Sequence, residues 1–174
     1  MIIRDARVDD MEAVCAIYNA LIPTTTIAWT ESLQTLEQRL AWFAEQQRRA
    51  RPTLVAEIGG MVVGFTAYGD FRGYGIWPGY RHTAEHTVHV DRSAWGRGAG
   101  RALVEALLDR ARQDDIHVMV AAIDGGNVES IRFHERVGFD VVARMPEVGN
   151  KFGRWCDLVL MQRILGDTLP AVSA

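Results

Sequence analysis

The feature of this sequence that most constrains its fold is a strand-like run that enters a glycine-rich turn and opens onto an amphipathic helix. It reads EHTVHVDRSAWGRGAG from Glu85 to Gly100. Gly96, Gly98 and Gly100 carry no Cβ, so the backbone can turn tightly and bring its amides close to a ligand. The helix that we expect to begin near Arg101 points its unpaired N–H groups at the same place. This pattern favours a site for a phosphate-bearing cofactor, while an ordinary turn remains the alternative on the glycines alone.

The residues around this turn fit neither of two common phosphate-binding motifs, nor a metal site. The glycine spacing differs from the Gly-x-Gly-x-x-Gly of dinucleotide-binding folds, and no Gly-Lys-Ser or Gly-Lys-Thr follows, as a P-loop requires. Three histidines lie nearby at His82, His86 and His89. Strand alternation places His86 and His89 on opposite faces, and no carboxylate or cysteine completes a ligand set, so no metal is expected.

Length and charge predict one compact domain that binds a small molecule. A chain of 174 residues with 48% hydrophobic content can bury one substantial core. We assign residues 1–165 to that domain and expect residues 166–174 to form a frayed tail. A net charge of −3 argues against nucleic-acid or membrane-surface binding. The charged start and the lack of a long apolar run predict a cytoplasmic protein.

Hydrophobic periodicity predicts a mixed α/β fold with a mostly antiparallel central sheet and about four helices. The second helix carries Leu33, Leu36, Leu40 and Phe43 at helical spacing. The helices are predicted near residues 9–22, 33–51, 100–111 and 127–137. The strands are predicted at residues 1–7, 53–58, 61–69, 82–90, 117–123, 139–143 and 155–163.

A second motif makes a family resemblance specific. It runs from Asn127 to Phe139 and reads Asn-x-x-Ser-x-x-Phe-His-x-x-x-Gly-Phe. A glycine-rich turn, a strand and then this motif is the order found in the GCN5-related N-acetyltransferases (GNAT), which bind acetyl-CoA. Residues 83–88 and 148–158 resemble the subgroup that acts on phosphinothricin and methionine sulfoximine. Members of that subgroup acetylate the α-amino group of small amino-acid analogues.

The resemblance implies an acetyl-CoA site built from three segments. One segment is the turn, where main-chain amides and two guanidinium groups can meet a pyrophosphate. Where the superfamily usually has Gln or Arg, this chain has Trp95, and cofactor binding should survive that change. The second segment is the preceding strand, whose main chain pairs with the pantetheine arm. The third is the start of the later helix, which Asn127 can cap while its amide reaches the pantetheine or pyrophosphate region. The predicted cofactor residues are Val88, His89, Val90, Arg97, Gly98, Ala99, Gly100, Arg101, Asn127 and Ser130.

Two residues are candidates for the chemistry. Glu85 is the leading candidate for the base that deprotonates the substrate amine, since a carboxylate on an inner strand needs a charged partner. The alternative is a structural ion pair of Glu85 with Arg72 or Arg81. His134 stands where many relatives carry the Tyr that protonates the leaving thiolate, and it is either that acid or a core residue.

The loop from Asp70 to Arg81 is the candidate substrate pocket. Arg72 or Arg81 can bind a substrate carboxylate, and aromatic residues at Phe71, Tyr74 and Trp77 can form its walls. Loop packing is the alternative for the aromatic side chains. The full substrate-binding set is Phe71, Arg72, Gly73, Arg81, Thr83, Glu85 and His86. The resemblance implies that residues 24–29 and 151–155 complete the site, partly across a homodimer interface.

The sequence thus predicts direct acetyl transfer from acetyl-CoA to a small amino-acid analogue in a ternary complex. A covalent acetyl-cysteine route is not expected, because neither Cys15 nor Cys156 has a nucleophile motif around it. Two alternatives remain open at this point. One is an N-acetyltransferase for a polyamine, a peptide N-terminus or an aminoglycoside. The other is a non-catalytic sensor that binds acyl-CoA.

Overall fold

The computed structural model describes residues 1–72 and 76–166. Within these ranges the chain forms one seven-stranded sheet in the order β1-β2-β3-β4-β5-β7-β6. The pairing of β4 with β5 is parallel, and the other five pairings are antiparallel. The strands are β1 (Ile2–Asp5), β2 (Thr53–Ile58), β3 (Met61–Asp70), β4 (Thr83–Val90), β5 (Val118–Asp124), β6 (Asp140–Lys151) and β7 (Arg154–Ile164).

Four α-helices cover the two faces of this sheet, as the mixed α/β prediction requires. They are α1 (Met11–Leu21), α2 (Leu36–Arg48), α3 (Ala99–Gln113) and α4 (Val128–Arg136). On β2, Leu54 packs in the cluster that contains the buried face of α3, whereas Val55 packs in the cluster of α1 and α2. Because neighbouring strand residues point to opposite faces, the two helix layers lie on opposite sides of the sheet.

The prediction for the second helix was wrong at its start. Leu33 lies before the helix and is 60% exposed, so it does not belong to the apolar face. The helix starts after Thr35, whose hydroxyl accepts a hydrogen bond from the Gln38 amide while the Gln38 side chain accepts one from the Thr35 amide. This capping box fixes the start of α2, and the leucine spacing does not.

The closing hairpin is longer than predicted. The sequence indicated a strand at residues 139–143, but β6 continues to Lys151. Pro146 and Gly149 resemble strand breakers, yet β6 is an edge strand, where a residue without an N–H is tolerated. Two register shifts against β7 accommodate the irregular stretch between Val141 and Gly149.

The C-terminal residues 167–174 lie outside the described ranges, so the predicted tail is not addressed. No helix in the described ranges combines the length and the apolar character needed to cross a membrane.

Candidate active site

The centre of the sheet opens where β4 and β5 separate. The two strands pair only from Thr83 to Glu85, opposite Val118 to Val120. Beyond this point β4 continues to pair with β3, and β5 continues to pair with β7. The residues from His86 to Val90 therefore present their β5-facing edge to a gap instead of to a neighbouring strand. Main-chain groups on such an edge are free to bind a ligand.

A large cavity of about 500 Å³ lies at this gap and extends to the start of α3. Most of the predicted cofactor residues line it, and they come from β4, the glycine-rich turn and α4. These are Val88, His89, Val90, Gly98, Ala99, Gly100, Arg101, Asn127 and Ser130. Arg97 is exposed and lies outside this wall. The sequence therefore identified the segments of the cavity, although not the orientation of each side chain.

The glycine-rich turn has the predicted geometry at two of its three glycines. Gly96 and Gly98 have φ values of 73° and 82°, in the region that favours glycine. Gly98 caps α3 without a side-chain hydrogen bond, so no side chain competes for the first helical amides. Gly100 differs because it is an ordinary helical residue, and a Cβ there would lie 3.5 Å from the Phe133 ring. The helix begins at Ala99, two residues before the expected start.

Trp95 occupies the position at which the sequence departs from the family pattern. It is half-exposed and lines the large cavity. Its indole Nε1 donates a hydrogen bond of 2.9 Å to the carbonyl of Val90. The ring thus occupies one acceptor at the end of β4, and the amides of the turn remain available to a ligand.

A smaller cavity of about 230 Å³ lies within the gap itself. Its walls come from β4, from the last residues of β5, from α1 and the loop after it, and from α4 with its cap residue. It shares Ile27, Val88, His89, Asn127 and Ser130 with the large cavity. The two cavities therefore meet at the gap, and a molecule held in one can contact a molecule held in the other.

Asn127 is positioned by its own helix. Its Oδ1 accepts a hydrogen bond of 3.1 Å from the Ser130 amide, which caps α4. The side-chain NH₂ group is a donor that can serve a ligand, since Asn127 lines both cavities. The cap is confirmed, and the contact of Asn127 with the cofactor stays a prediction.

His134 is buried and lies in the wall of the smaller cavity. Its Nδ1 lies 2.8 Å from the carbonyl of Ser130, so Nδ1 carries the proton and Nε2 is the acceptor. Burial lowers the pKa of His134, although the hydrogen bond to Ser130 acts in the opposite direction. With its proton on Nδ1 the neutral ring has no N–H left for a thiolate, so the acid role requires a protonated ring, which burial disfavours. The role of His134 as the acid stays a prediction.

His86 and His89 lie on opposite faces of β4, as the alternation predicts. The His86 ring packs 5.2 Å from both His134 and Phe139, and its ring nitrogens have no hydrogen-bond partner within residues 1–72 and 76–166. Burial lowers the pKa of His86 to about 3. His89 packs against Tyr18 on α1, and burial, aided by the charge of Arg39, lowers its pKa to about 4. In the same ranges, no three His, Cys, Asp or Glu residues are grouped to hold a metal.

Glu85 lies at the last residue pair before the gap and lines neither cavity. Its side chain reaches solvent, yet desolvation by the surrounding protein raises the pKa of its carboxyl. Among the described salt bridges none joins Glu85 to Arg72 or Arg81, so the structural ion pair is not present. Glu85 shares a strand face with His89, which packs on the α1 side.

The other predicted substrate residues divide into two groups. Thr83 and His86 lie on β4, and His86 lines the smaller cavity. Phe71, Arg72 and Arg81 lie on the connection before β4, outside both cavity walls. There Tyr80 packs 5.6 Å from Phe71 and lies 5.6 Å from the Arg72 guanidinium. Gly73 and Tyr74 lie outside the described residues.

Sequence reasoning missed several wall residues, among them Asp124. This carboxylate is 7% exposed, lines the smaller cavity, and accepts a 2.7 Å hydrogen bond from the Gly126 amide through Oδ1. It is the one acidic residue among the described residues that line this cavity. The sequence signal that could have identified Asp124 is its place at the end of a buried strand, directly before two glycines. Tyr18 gave none, since the α1 side of the gap is visible only once the strands are placed. Ile27 and Ala28 also line this cavity, and both lie in the segment 24–29 that the resemblance implied.

Comparison with known proteins gives consistent matches. A family model described as "Acetyltransferase (GNAT) family" matches residues 14–139. The chain is 46% identical over 170 residues to an L-methionine sulfoximine/L-methionine sulfone acetyltransferase of Pseudomonas aeruginosa, and the match covers 97% of each chain. It is 35% identical to a phosphinothricin N-acetyltransferase of Alcaligenes faecalis, over 95% of this chain and 84% of that one. A Salmonella typhimurium structure, "yncA, a putative acetyltransferase … with its cofactor Acetyl-CoA", aligns with a TM-score of 0.92 at 42% identity, over 97% and 96% of the two chains.

Proposed function

Since the chain belongs to the acetyltransferase (GNAT) family, we propose that it transfers the acetyl group of acetyl-CoA to the α-amino group of small amino-acid analogues. Methionine sulfoximine, methionine sulfone and phosphinothricin are the acceptors that the relatives' names suggest. The observation that carries the proposal is the meeting of two cavities at the β4–β5 gap. One is large and reaches the amides of the glycine-rich turn, and the other is small.

In the proposed reaction, acetyl-CoA is a co-substrate that occupies the large cavity and supplies the thioester. The edge of β4 that faces the gap, at Val88, His89 and Val90, binds the pantetheine arm and offers an amide to the oxyanion. The neutral amine nitrogen attacks the thioester carbon from the smaller cavity and the C–S bond breaks. The nitrogen gives up a proton, and the leaving thiolate takes one up. The products are an N-acetyl amino acid and free coenzyme A.

Deprotonation of the acceptor requires a carboxylate that reaches its ammonium group directly or through water. Glu85 remains the proposed base, and desolvation raises its pKa, which brings its basicity closer to that of an amine. Asp124 is the second candidate, since it lies in the wall of the smaller cavity. Arg72 and Arg81 are proposed to bind the acceptor carboxylate, and the protein is proposed to act as a cytoplasmic homodimer.

The test measures release of the coenzyme A thiol from acetyl-CoA with a panel of acceptors. The panel contains methionine sulfoximine, methionine sulfone, phosphinothricin, methionine, a polyamine and a peptide. Turnover confined to the amino-acid analogues supports the proposal. Activity only on the polyamine or the peptide refutes the acceptor class, and binding of acetyl-CoA without turnover of any amine refutes the enzyme assignment.

The same assay separates the two carboxylates. Glu85→Gln is expected to lower kcat/KM by about 10²–10⁴ while the dissociation constant of acetyl-CoA is unchanged, because only proton transfer is lost. Glu135→Gln is the matched control, since Glu135 is an exposed carboxylate on α4 that lines neither cavity. Full activity of Glu85→Gln together with an inactive Asp124→Asn would transfer the role of base to Asp124.

A further inference from the structure

A buried lysine lies where the tip of the β6–β7 hairpin meets the loop between α1 and α2. Lys151 is the last residue of β6 and is 1% exposed. Its ammonium group donates hydrogen bonds to the main-chain carbonyls of Ile22 at 2.8 Å, Thr25 at 2.6 Å and Ala28 at 2.7 Å. An ammonium group has three N–H donors, so all three are used within the protein.

Two further contacts join the same segments, residues 22–31 of the loop and residues 149–153 of the hairpin, which we call the clasp. The Phe152 amide donates a hydrogen bond of 3.1 Å to Glu31. Trp29 packs against Gly149 so closely that a Cβ on Gly149 would lie 2.2 Å from its ring. Only glycine leaves room for this indole.

The loop side of the clasp forms a wall of the candidate active site. Ile27 lines both cavities, and Ala28 lines the smaller one. The loop has no helix or strand of its own between α1 and α2. Its shape therefore depends on contacts with its neighbours, and three of its carbonyls converge on one charged group of the hairpin.

We propose that Lys151 is a positioning residue for acceptor binding, which holds Ile27 and Ala28 in place as the wall of the smaller cavity. Lys151 itself lines neither cavity. Its charge is directed to carbonyl oxygens, so it binds the loop without presenting a cation to the acceptor's ammonium group. This role rests on the proposed function, in which the smaller cavity receives the acceptor.

The test compares Lys151→Met, which keeps the length of the side chain and removes its donors, with the unmodified protein. We expect the acceptor KM to rise by about tenfold or more, because a loosened wall no longer orders the acceptor. Acetyl-CoA affinity should change by less than about threefold, because the amides of the glycine-rich turn are untouched. Amide hydrogen exchange across residues 22–29 should be faster by about tenfold or more.

Two further variants keep the result interpretable. Gly149→Ala displaces Trp29 without touching Lys151, and it should raise the acceptor KM in the same direction. Met161→Ala removes a core side chain of β7 that lines neither cavity, so it matches a loss of stability without loosening the loop. If Met161→Ala raises the acceptor KM as much as Lys151→Met does, the effect is one of general stability and the proposal fails.

The proposal also fails if both clasp variants fold, keep slow exchange in residues 22–29, and bind the acceptor with unchanged KM. Failure of the proposed function has a different result: the unmodified protein binds acetyl-CoA and acetylates no amino acid. In that case the hydrogen-exchange comparison still decides whether Lys151 holds the loop.

Discussion

Replacement of Gly98 and Gly100 by alanine should have opposite effects on stability, although the two residues are separated by only one position. Gly98 has a φ of 82°, and a Cβ there would meet nothing within 4 Å. The Gly98→Ala substitution therefore destabilises the protein through the backbone conformation alone, by about 1–2 kcal/mol for an L-residue held in the left-handed region. Gly100 lies inside α3, and its Cβ would make ordinary contacts at 3.5 Å with Phe133 and 3.7 Å with Val90. Alanine there should stabilise the free protein by about 0.5–1 kcal/mol, since glycine is the poorer helix former.

The assay is urea unfolding of the two variants and the unmodified protein without ligand, followed by calorimetric titration with acetyl-CoA. A free energy of about 1.4 kcal/mol corresponds to about tenfold in a dissociation constant. If the turn relaxes away from its binding shape, Gly98→Ala should raise the dissociation constant of acetyl-CoA by up to about that factor. Destabilisation of both variants by the same amount, or a Gly98→Ala protein as stable as the unmodified one, would refute the assignment of the strained residue to Gly98 alone.

Two other predictions follow from the same site. Burial lowers the pKa values of His86 and His89 from the ordinary histidine value of 6.5 to about 3 and about 4. Between about pH 4 and 6.5 the unfolded chain therefore binds more protons than the folded protein. The free energy of unfolding should rise with pH across that range. His86→Phe should reduce this slope by up to about 1.4 kcal/mol per pH unit, measured by urea unfolding at several pH values, and an unchanged slope would contradict the buried neutral ring. Trp95→Gln, which introduces a side chain common in the family, should change acetyl-CoA affinity by less than about fivefold in a calorimetric titration. The reason is that one neutral hydrogen bond contributes about 1 kcal/mol. Complete loss of binding would show that the indole itself binds the ligand.

The parts of the fold that depend on local sequence were predicted best. The hairpin of β2 and β3, the position of α4 and the opposite orientations of His86 and His89 follow from turn residues, a cap and strand alternation, all of which act within a few residues. The start of α2 was missed because a capping box outweighed the spacing of Leu33. The length of β6 was missed because its place at the sheet edge, which permits Pro146, is a property of the whole sheet.

The site divides in the same way. Gly98, Asn127 and the main chain of β4, which lie at the large cavity, belong to motifs that are continuous in sequence. Asp124 and Tyr18 were not predicted. Residues 24–29 and 151–155 were expected near the site only because of the family resemblance, since the loop and the hairpin tip approach each other only after the sheet has formed. The separation of β4 from β5 left no sequence signal, because each strand remains regular and keeps its other neighbour.

That separation also divides the sheet into two halves. The sheet consists of a four-stranded half, β1 to β4, and a three-stranded half, β5, β7 and β6, and only three residue pairs of one parallel ladder join them. Within the sheet the two halves are paired at the end marked by Thr83 and separated at the end marked by Val90. A ligand in the gap that contacts both halves connects them by its own contacts. Such a ligand makes the two halves unfold together as one cooperative unit. The amides at the junction that already exchange most slowly should then show the largest further slowing of hydrogen exchange when the gap is filled.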